Sequence, residues 1–194
     1  MNLRRITDDA YLLWLVMALP GFWLLYERLV LHTKMDYIWW TGLPSVWFLI
    51  LSMAITPLQQ LLRRPLPWLR QRRRYFGVAS FGYAALHTFI WLLGINMGAL
   101  LRSFQRMDLL VGWIAMAIMT VLAATSFDTA VDRMGPLWKT VQRWVYPMAV
   151  LTLLHWIMTD YGGWREVAVY SVPLVLLEAW RVLRYRRRMR LRRI

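Results

Sequence analysis

The residues best suited to hold a metal or move a proton in this 194-residue chain are its three histidines. His87 and His155 each lie inside an apolar stretch, FGYAALHTFIWLL and PMAVLTLLHWIMTD. An ionisable side chain inside a membrane segment is a functional candidate. His32 instead follows the first apolar stretch, where histidine is an ordinary interface residue. We therefore expect the chemistry of the chain at His87 and His155.

These two histidines are predicted to lie at one depth. His87 follows the basic block that ends at Arg74 by 13 positions, roughly 20 Å of helix, and His155 follows Arg143 by 12, roughly 18 Å. Facing imidazoles at one level of a helix bundle suit the axial positions of a haem iron. We predict one haem b with His87 and His155 as its iron ligands. The alternative is that both only hydrogen-bond between helices.

Other residues suit a bound haem. Small side chains keep the third apolar stretch slim, which leaves room for a flat macrocycle: Gly77, Ala79, Gly82, Ala84 and Ala85. Four cations are expected on the same side of the membrane as the histidines and are candidate partners of the haem propionates: Arg28, Lys34, Arg102 and Arg106.

The elements that carry these residues are predicted to be transmembrane helices. The chain is 59% hydrophobic with a mean hydropathy of +0.40, and about 20 apolar residues cross a bilayer. Six stretches qualify or nearly qualify: Ala10–Leu31, Pro44–Leu62, Tyr75–Met97, Met107–Ser126, Val141–Met158 and Val167–Leu183. Pro44 and Pro57 are expected near helix ends, whereas Pro147 and Pro173 are expected to lie inside helices and to kink them. The fold class is therefore an all-α membrane protein, one six-helix bundle over 1–194 with its first helix retained.

Charge predicts the orientation of this bundle, because cytoplasmic segments retain basic residues. Nineteen of the 24 Lys and Arg fall on one side, in blocks at 4–5, 63–74, 133–143 and 181–193. We expect both termini in the cytoplasm of a bacterium and the helices in its inner membrane. The basic tail at about 184–194 is predicted to bind anionic lipids rather than nucleic acid.

Several chemistries are excluded or poorly supported. The absence of cysteine excludes disulfides, iron–sulfur clusters and thiolate ligation of haem. There is no Gly-rich nucleotide loop, and Glu178 is the only deep carboxylate. Electrons would therefore come from a lipid quinol, a small bound flavin or another protein. Candidate quinone-binding residues at helix ends are Arg74, Tyr75, Gln142 and Trp144.

Three stretches resemble one known family. They are AITPLQQLLRR at 54–64, RRRYFGVASFGYAALH at 72–87, and ATSFDTAVDRMGPLWKTVQRWVYPMAVLTLLH at 124–155. They are similar to the haem-binding membrane subunits of the periplasmic methionine sulfoxide reductase system (the MsrQ, formerly YedZ, family). That family is a branch of the ferric-reductase-like transmembrane domain. The similarity runs from about residue 40 to the end of the chain.

The resemblance implies a function. His87 and His155 match the haem-ligand histidines of the family. In such proteins electrons pass from the quinone pool, with FMN as a further candidate cofactor, to a periplasmic molybdenum-cofactor subunit that reduces methionine sulfoxide. Sulfoxide reduction is then expected in that partner, and this chain would transfer electrons.

The chain departs from the family pattern at one position. Gln142 stands where the family usually has a further histidine, and the equivalent position of the third helix is Arg74. A second, inner haem is therefore not expected, which favours quinol in the membrane as the electron donor. Two alternatives stay open: a stand-alone ferric-reductase-like oxidoreductase of the same fold, and a membrane scaffold that kept the fold without haem.

Overall fold

A computed structural model describes residues 10–32, 34–63, 67–159 and 163–191, and within them every regular element is helical. The helices are α1 (Ala10–Tyr26), continued by a π-helical turn (Glu27–Leu31), α2 (Tyr37–Leu61), α3 (Pro67–Leu93), α4 (Met97–Ser103), α5 (Met107–Ala124), α6 (Asp128–Met134), α7 (Pro136–Gln142), α8 (Val145–Thr159) and α9 (Trp164–Leu191). The all-α prediction is confirmed for these residues. Arg4, Arg5, Arg64, Arg192 and Arg193, which contributed to the charge asymmetry, lie outside them.

Two helix pairs form the body of the bundle. The most extensive contacts are those of α2 with α3 and of α5 with α8, and α9 packs against both α2 and α8. The main core joins α2, α5, α8 and α9 around residues that are almost completely buried, among them Met53, Ala149 and Leu174. A smaller cluster fastens α1 to α2 and α3 through Met17, Phe48 and Tyr83.

Four segments are long and apolar enough to cross a membrane: Ala10–Leu31, Tyr37–Leu61, Pro67–Leu93 and Met107–Ala124. The segments at the fifth and sixth predicted crossings do not meet that standard. With its 15 residues, α8 is about 22 Å long, and α9 carries a run of arginines in its second half. The structure thus supports a helical membrane protein, and the count of six crossings stays a prediction.

The boundaries of α2 and α8 correct the expected places of two prolines. α2 begins at Tyr37, seven residues earlier than predicted, so Pro44 lies inside it rather than at its start, whereas Pro57 lies four residues before its end at Leu61, as expected. α8 begins only at Val145, so Pro147 lies in its first turn, where the missing N–H costs little. The kink predicted at Pro147 is therefore wrong. Pro173 lies inside its helix, as expected.

The basic block before the third crossing is helical rather than a loop. α3 begins at Pro67 instead of Tyr75, because proline is well suited to the first helical position and arginine is a good helix former. It ends at Leu93, so Met97 begins α4 instead of ending α3. The arginines at 70–74 therefore lie on α3 itself, and the helix fixes the directions of their Cα–Cβ bonds.

Large apolar side chains cover the outside of the bundle. Exposed fractions reach 67% for Leu29, 57% for Phe89 and 62% for Leu176. A soluble monomer rarely exposes a continuous apolar surface of this extent. Lipid is the environment that these side chains fit.

The Tyr83 hydroxyl group is inserted into the backbone of α1. It donates to the Met17 carbonyl at 2.9 Å and accepts the Gly21 N–H at 2.9 Å. In a regular helix that N–H would bond to that carbonyl directly, so the hydroxyl bridges an opened turn beside Pro20. Insertion into the ladder is a known cause of helix bending. Tyr83 therefore fixes both the course of α1 and its contact with α3.

We predict that Tyr83→Phe lowers the free energy of unfolding by about 1–3 kcal/mol, because it removes the bridging hydroxyl and leaves buried backbone groups unpaired. Thermal unfolding in one detergent, followed by tryptophan fluorescence, measures the loss. The control is Tyr185→Phe, since the Tyr185 side chain is 64% exposed. Equal stability of the two variants would contradict this role of Tyr83.

Candidate functional site: a cavity lined by two histidines

His87 and His155 line the same cavity, which has a volume of about 560 Å³ and is here named the histidine cavity. His87 comes from α3 and His155 from α8, and α2 and α5 supply most of the remaining wall. Ligand cavities in proteins commonly have volumes of about 300–1,000 Å³. The two residues singled out by depth are thus brought together by the fold.

Each imidazole is held by one backbone carbonyl of the neighbouring helix. Nδ1 of His87 lies 2.8 Å from the Ile38 oxygen, and Nδ1 of His155 lies 2.7 Å from the Asp108 oxygen. A carbonyl oxygen only accepts, so Nδ1 carries the proton and donates in both cases. Nε2 of a neutral ring is then an unprotonated lone pair. Neither Nε2 has a hydrogen-bond partner within the described part of the chain.

A glycine lies against each ring. A Cβ placed on Gly42 would be 3.1 Å from Nδ1 of His87, and one placed on Gly112 would be 2.8 Å from Nδ1 and Cε1 of His155. Real Cβ contacts essentially never reach 2.8 Å. The missing side chains therefore make room for the two imidazoles.

The threonine side chains in the wall form hydrogen bonds to backbone carbonyls of their own helices. Thr88 donates to the Ala84 carbonyl, Thr152 to Met148, and Thr159 to His155. The indoles of Trp39 and Trp156 also line the cavity and meet edge to face at 5.6 Å. The surface left for a ligand is apolar apart from the two histidines and a charged rim.

The charged rim contains two of the four predicted propionate partners. Arg102 and Arg106 line the cavity together with Asp108. Arg106 binds the Asp108 carboxylate at 2.5 and 3.2 Å, and this contact raises the pKa of the Arg106 guanidinium by its hydrogen bond first and its charge second. Arg28 and Lys34 are exposed and do not line the cavity.

The rim is held in place by α4 and its contact with α5. The Asn96 side chain caps α4 by accepting the Ala99 N–H at 2.9 Å. At the other end of α4 the buried Ser103 hydroxyl accepts from the Trp113 indole at 3.0 Å. Trp113 also contacts the Trp91 ring edge to face at 6.2 Å. These contacts fix the backbone that carries Arg102, whose side chain lines the cavity.

A second cavity, about 340 Å³ in volume, is lined by four cations and is here named the arginine cavity. The cations are Arg73, Arg74, Lys139 and Arg143. Met119 lines both cavities, and Ser80 of the arginine cavity donates to the carbonyl of Ser45, which lines the histidine cavity, at 2.8 Å. One layer of side chains therefore separates the two cavities.

The predicted quinone-binding residues divide into two groups. Arg74 and Gln142 line the arginine cavity. Tyr75 and Trp144 do not: Tyr75 packs against Trp14 at 5.7 Å, and Trp144 is 56% exposed. Arg74 is also tied to Asp128 at 2.6 Å, across the start of α6.

Gln142 has a structural partner that its sequence position did not reveal. Its amide nitrogen donates to the Leu122 carbonyl at 3.1 Å and to the Thr125 hydroxyl at 3.0 Å, and so closes the end of α5. The Trp138 indole donates to the Thr125 carbonyl beside it at 2.8 Å. The amide nitrogen is thus occupied by the end of α5.

Two other residues of interest lie away from both cavities. His32 is exposed after the π-helical turn, with φ at 50°. Glu178, the deep carboxylate, pairs with Arg181 at 3.4 Å, and Arg181 stacks over the Tyr146 ring at 3.4 Å. This arrangement gives Glu178 a structural partner within α9.

The donor set of the histidine cavity fits haem. A haem iron takes four nitrogens from its macrocycle and requires axial ligands from the protein, for which two neutral imidazoles with open Nε2 positions are suited. In the described ranges no group of three or more His, Asp or Glu is placed to ligate a bare metal ion. The apolar walls suit the macrocycle, and the arginine rim suits its carboxylates.

Sequence reasoning missed the residues that orient the two rings. They are the backbone carbonyls of Ile38 and Asp108 and the glycines four positions later, Gly42 and Gly112. Carbonyls have no sequence signature, and the small residues selected for slimness were on α3 itself. Of those, only Ala84 lines the histidine cavity, whereas Gly77 lines the arginine cavity.

Comparison with known proteins identifies the family of the chain. The family described as "Ferric reductase like transmembrane component" matches residues 38–153, a range that includes His87 and ends two residues before His155. The chain therefore belongs to the ferric-reductase-like transmembrane family. No solved structure matches it.

Curated relatives place the chain more narrowly. It is 33% identical to a protein of Polaromonas naphthalenivorans, over 88% of this chain and 82% of the relative. It is 29% identical to one of Cronobacter sakazakii, over 96% of both chains. Each relative is named as the haem-binding subunit MsrQ of protein-methionine-sulfoxide reductase. Within the ferric-reductase-like proteins, the chain is a member of the MsrQ family.

Proposed function

We propose that this protein is a membrane cytochrome b that passes electrons to a methionine sulfoxide reductase. The observation that carries the proposal is the meeting of His87 and His155 in one cavity, each with Nδ1 bonded to a carbonyl and Nε2 open. The names of the relatives support haem binding and the reductase system. Sulfoxide reduction takes place in a periplasmic molybdenum-cofactor partner, and this chain carries the electrons.

In this proposal His87 and His155 would hold the iron of one haem b in the histidine cavity through Nε2, and the bound haem would supply one-electron transfer. Arg102 and Arg106 at the rim would pair with its propionates, and Asp108 keeps Arg106 in position. The apolar wall, which includes the indoles of Trp39, Trp91, Trp113 and Trp156, would keep water away from the haem.

The arginine cavity is the electron-donor site of this proposal. Hydrogen-bond donors such as Arg74 and Arg143 lie at its wall and suit the oxygens of a quinone head, whereas both N–H groups of Gln142 are used by the end of α5. Its other cations equally suit the phosphate of FMN, the second candidate occupant. The single layer at Met119 keeps either donor close to the haem. No second haem is needed between them.

The proposed setting is a bacterial inner membrane with six crossings and both termini in the cytoplasm. Four crossings are supported by length and hydropathy, and α8 and α9 supply the other two. Short crossings are accommodated by local thinning of the bilayer or by tilt. The arginines at the end of α9 lie on the cytoplasmic side and bind anionic lipid headgroups.

The central prediction concerns haem content. Protein purified from haem-replete cells should contain one haem b per chain by pyridine haemochrome, with a low-spin reduced spectrum. His87→Ala and His155→Ala should each abolish that spectrum, because a remaining single ligand does not hold the low-spin iron. His32→Ala is the matched control and should keep the full haem content.

Other outcomes select the alternatives. A colourless wild-type protein would overturn the cytochrome proposal and favour the scaffold. Reduction of ferric chelates by quinol in the purified chain, with no periplasmic subunit, would favour a stand-alone oxidoreductase. Two haems per chain would contradict the single-haem assignment.

Topology is testable by labelling because the chain has no cysteine. Single-cysteine variants at exposed positions are Leu101→Cys, Thr140→Cys, Gly163→Cys and Arg187→Cys. In spheroplasts an impermeant maleimide should label Leu101→Cys and Gly163→Cys, whereas Thr140→Cys and Arg187→Cys should react only after lysis. Labelling of Arg187→Cys in intact spheroplasts would refute the six-crossing topology.

The donor site has its own prediction. Arg143→Gln should slow the reduction of haem by quinol roughly tenfold or more, because a charged hydrogen bond contributes about 1.5–3 kcal/mol. Stopped-flow spectroscopy measures the rate, and reduction by dithionite should stay complete. Arg187→Gln, on α9 outside the cavity wall, is the control. Equal slowing in both variants would indicate a general effect of surface charge instead.

A further inference from the structure

Three ring side chains meet the backbone of a neighbouring helix in the same way. Each makes a hydrogen bond to the carbonyl of residue i, and residue i+4 of that helix is a glycine that touches the ring. The three sets are Tyr83 with Met17 and Gly21, His87 with Ile38 and Gly42, and His155 with Asp108 and Gly112.

The spacing has a physical cause. In a helix the carbonyl of residue i points at the N–H of residue i+4, so the side chain of i+4 lies beside that oxygen. The oxygen has a second lone pair that a donor from outside can use, here the Nδ1–H of His87 or His155. A ring that approaches this lone pair contacts the side chain of residue i+4. Glycine at that position has no side chain and leaves room for the ring. At Tyr83 the turn is opened, and the hydroxyl stands between the carbonyl and the N–H instead.

We propose that Gly42 and Gly112 are positioning residues that set the tautomer and the ring orientation of His87 and His155. This inference rests on the proposed haem function. Glycine admits the ring to the carbonyl, the carbonyl keeps the proton on Nδ1, and Nε2 is left as the metal-binding lone pair. Such hydrogen bonds also raise the basicity of a ligating imidazole.

The two positions differ in tightness. The Cβ distance is 2.8 Å at Gly112 and 3.1 Å at Gly42. A methyl group at Gly112 must displace the His155 ring, whereas one at Gly42 requires a shift of a few tenths of an ångström. Gly112→Ala should therefore have the larger effect.

A purely structural role for these glycines makes a different prediction. Small residues also allow close packing of membrane helices, and α2–α3 and α5–α8 are the most extensive pairs of the bundle. Loss of packing lowers the stability of the fold and leaves the tautomer of a folded protein unchanged. The histidine tautomer therefore separates the two roles.

The first test uses haem-free protein, so that it does not depend on the haem proposal. In a His32→Gln background, ¹⁵N NMR of labelled histidine reports only His87 and His155. Both should be protonated at Nδ1. In Gly112→Ala and Gly42→Ala the signal of the affected ring should move toward the Nε2-protonated form. Gly82→Ala is the control, because a Cβ at Gly82 meets nothing within 4 Å.

The second test uses haem-loaded protein. Gly112→Ala should lose haem affinity by roughly 10–100-fold, the usual effect of removing an outer partner of a metal ligand. Gly42→Ala should keep haem with changed EPR g-values and a shifted midpoint potential. Gly82→Ala should match the wild type in all three measurements.

Two results would overturn the inference. One is an Nε2-protonated His87 or His155 in the folded wild-type protein, a result that needs no variant to fold. The other is unchanged EPR and haem affinity in both glycine variants. A wild-type protein with Nδ1-protonated rings but no haem would instead contradict the proposed function and leave the positioning role standing.

Discussion

The arrangement of the bundle depends on where a neutral imidazole finds a hydrogen-bond acceptor in the apolar interior. A helix uses its own carbonyls and N–H groups internally, and the second lone pair of a carbonyl is what remains for a neighbour. His87 donates to such a carbonyl of α2, and His155 donates to one of α5. The helix pairs so joined, α2–α3 and α5–α8, are those with the most extensive contacts. The bonds that orient the two imidazoles are thus made at the main packing surfaces of the bundle.

The sequence predicted which two histidines meet better than it predicted the helices that orient them. Apolar stretches and basic blocks were sufficient to select His87 and His155, which line one cavity, because helical rise is constant. Which glycine meets which ring depends on the rotation of each helix about its axis, and one chain carries no direct record of that rotation. Gly77 and Gly82 were therefore selected and Gly42 and Gly112 were missed, although a Cβ on either of the first two meets no neighbour.

Helix ends were the other part that the sequence predicted poorly. Hydropathy marks where a segment is apolar, whereas a helix ends where its hydrogen bonds do. α3 extends back through arginines to Pro67, and α8 begins late, at Val145. Gln142 illustrates the same limit. The sequence showed only that it stands where the family usually has a histidine. The fold revealed that its side chain closes the end of α5 at Leu122.

The two cavities give the missing histidine a physical context. A membrane electron carrier with one haem near one face needs a donor within reach of it, and a second haem is one solution. Here the arginine cavity approaches the histidine cavity to within a single layer, formed by Met119 and the Ser45–Ser80 contact. A donor bound among Arg73, Arg143 and their neighbours would therefore lie beside the proposed haem. With the donor so placed, an inner ligand at position 142 has no necessary role in the transfer, and glutamine there serves the fold instead.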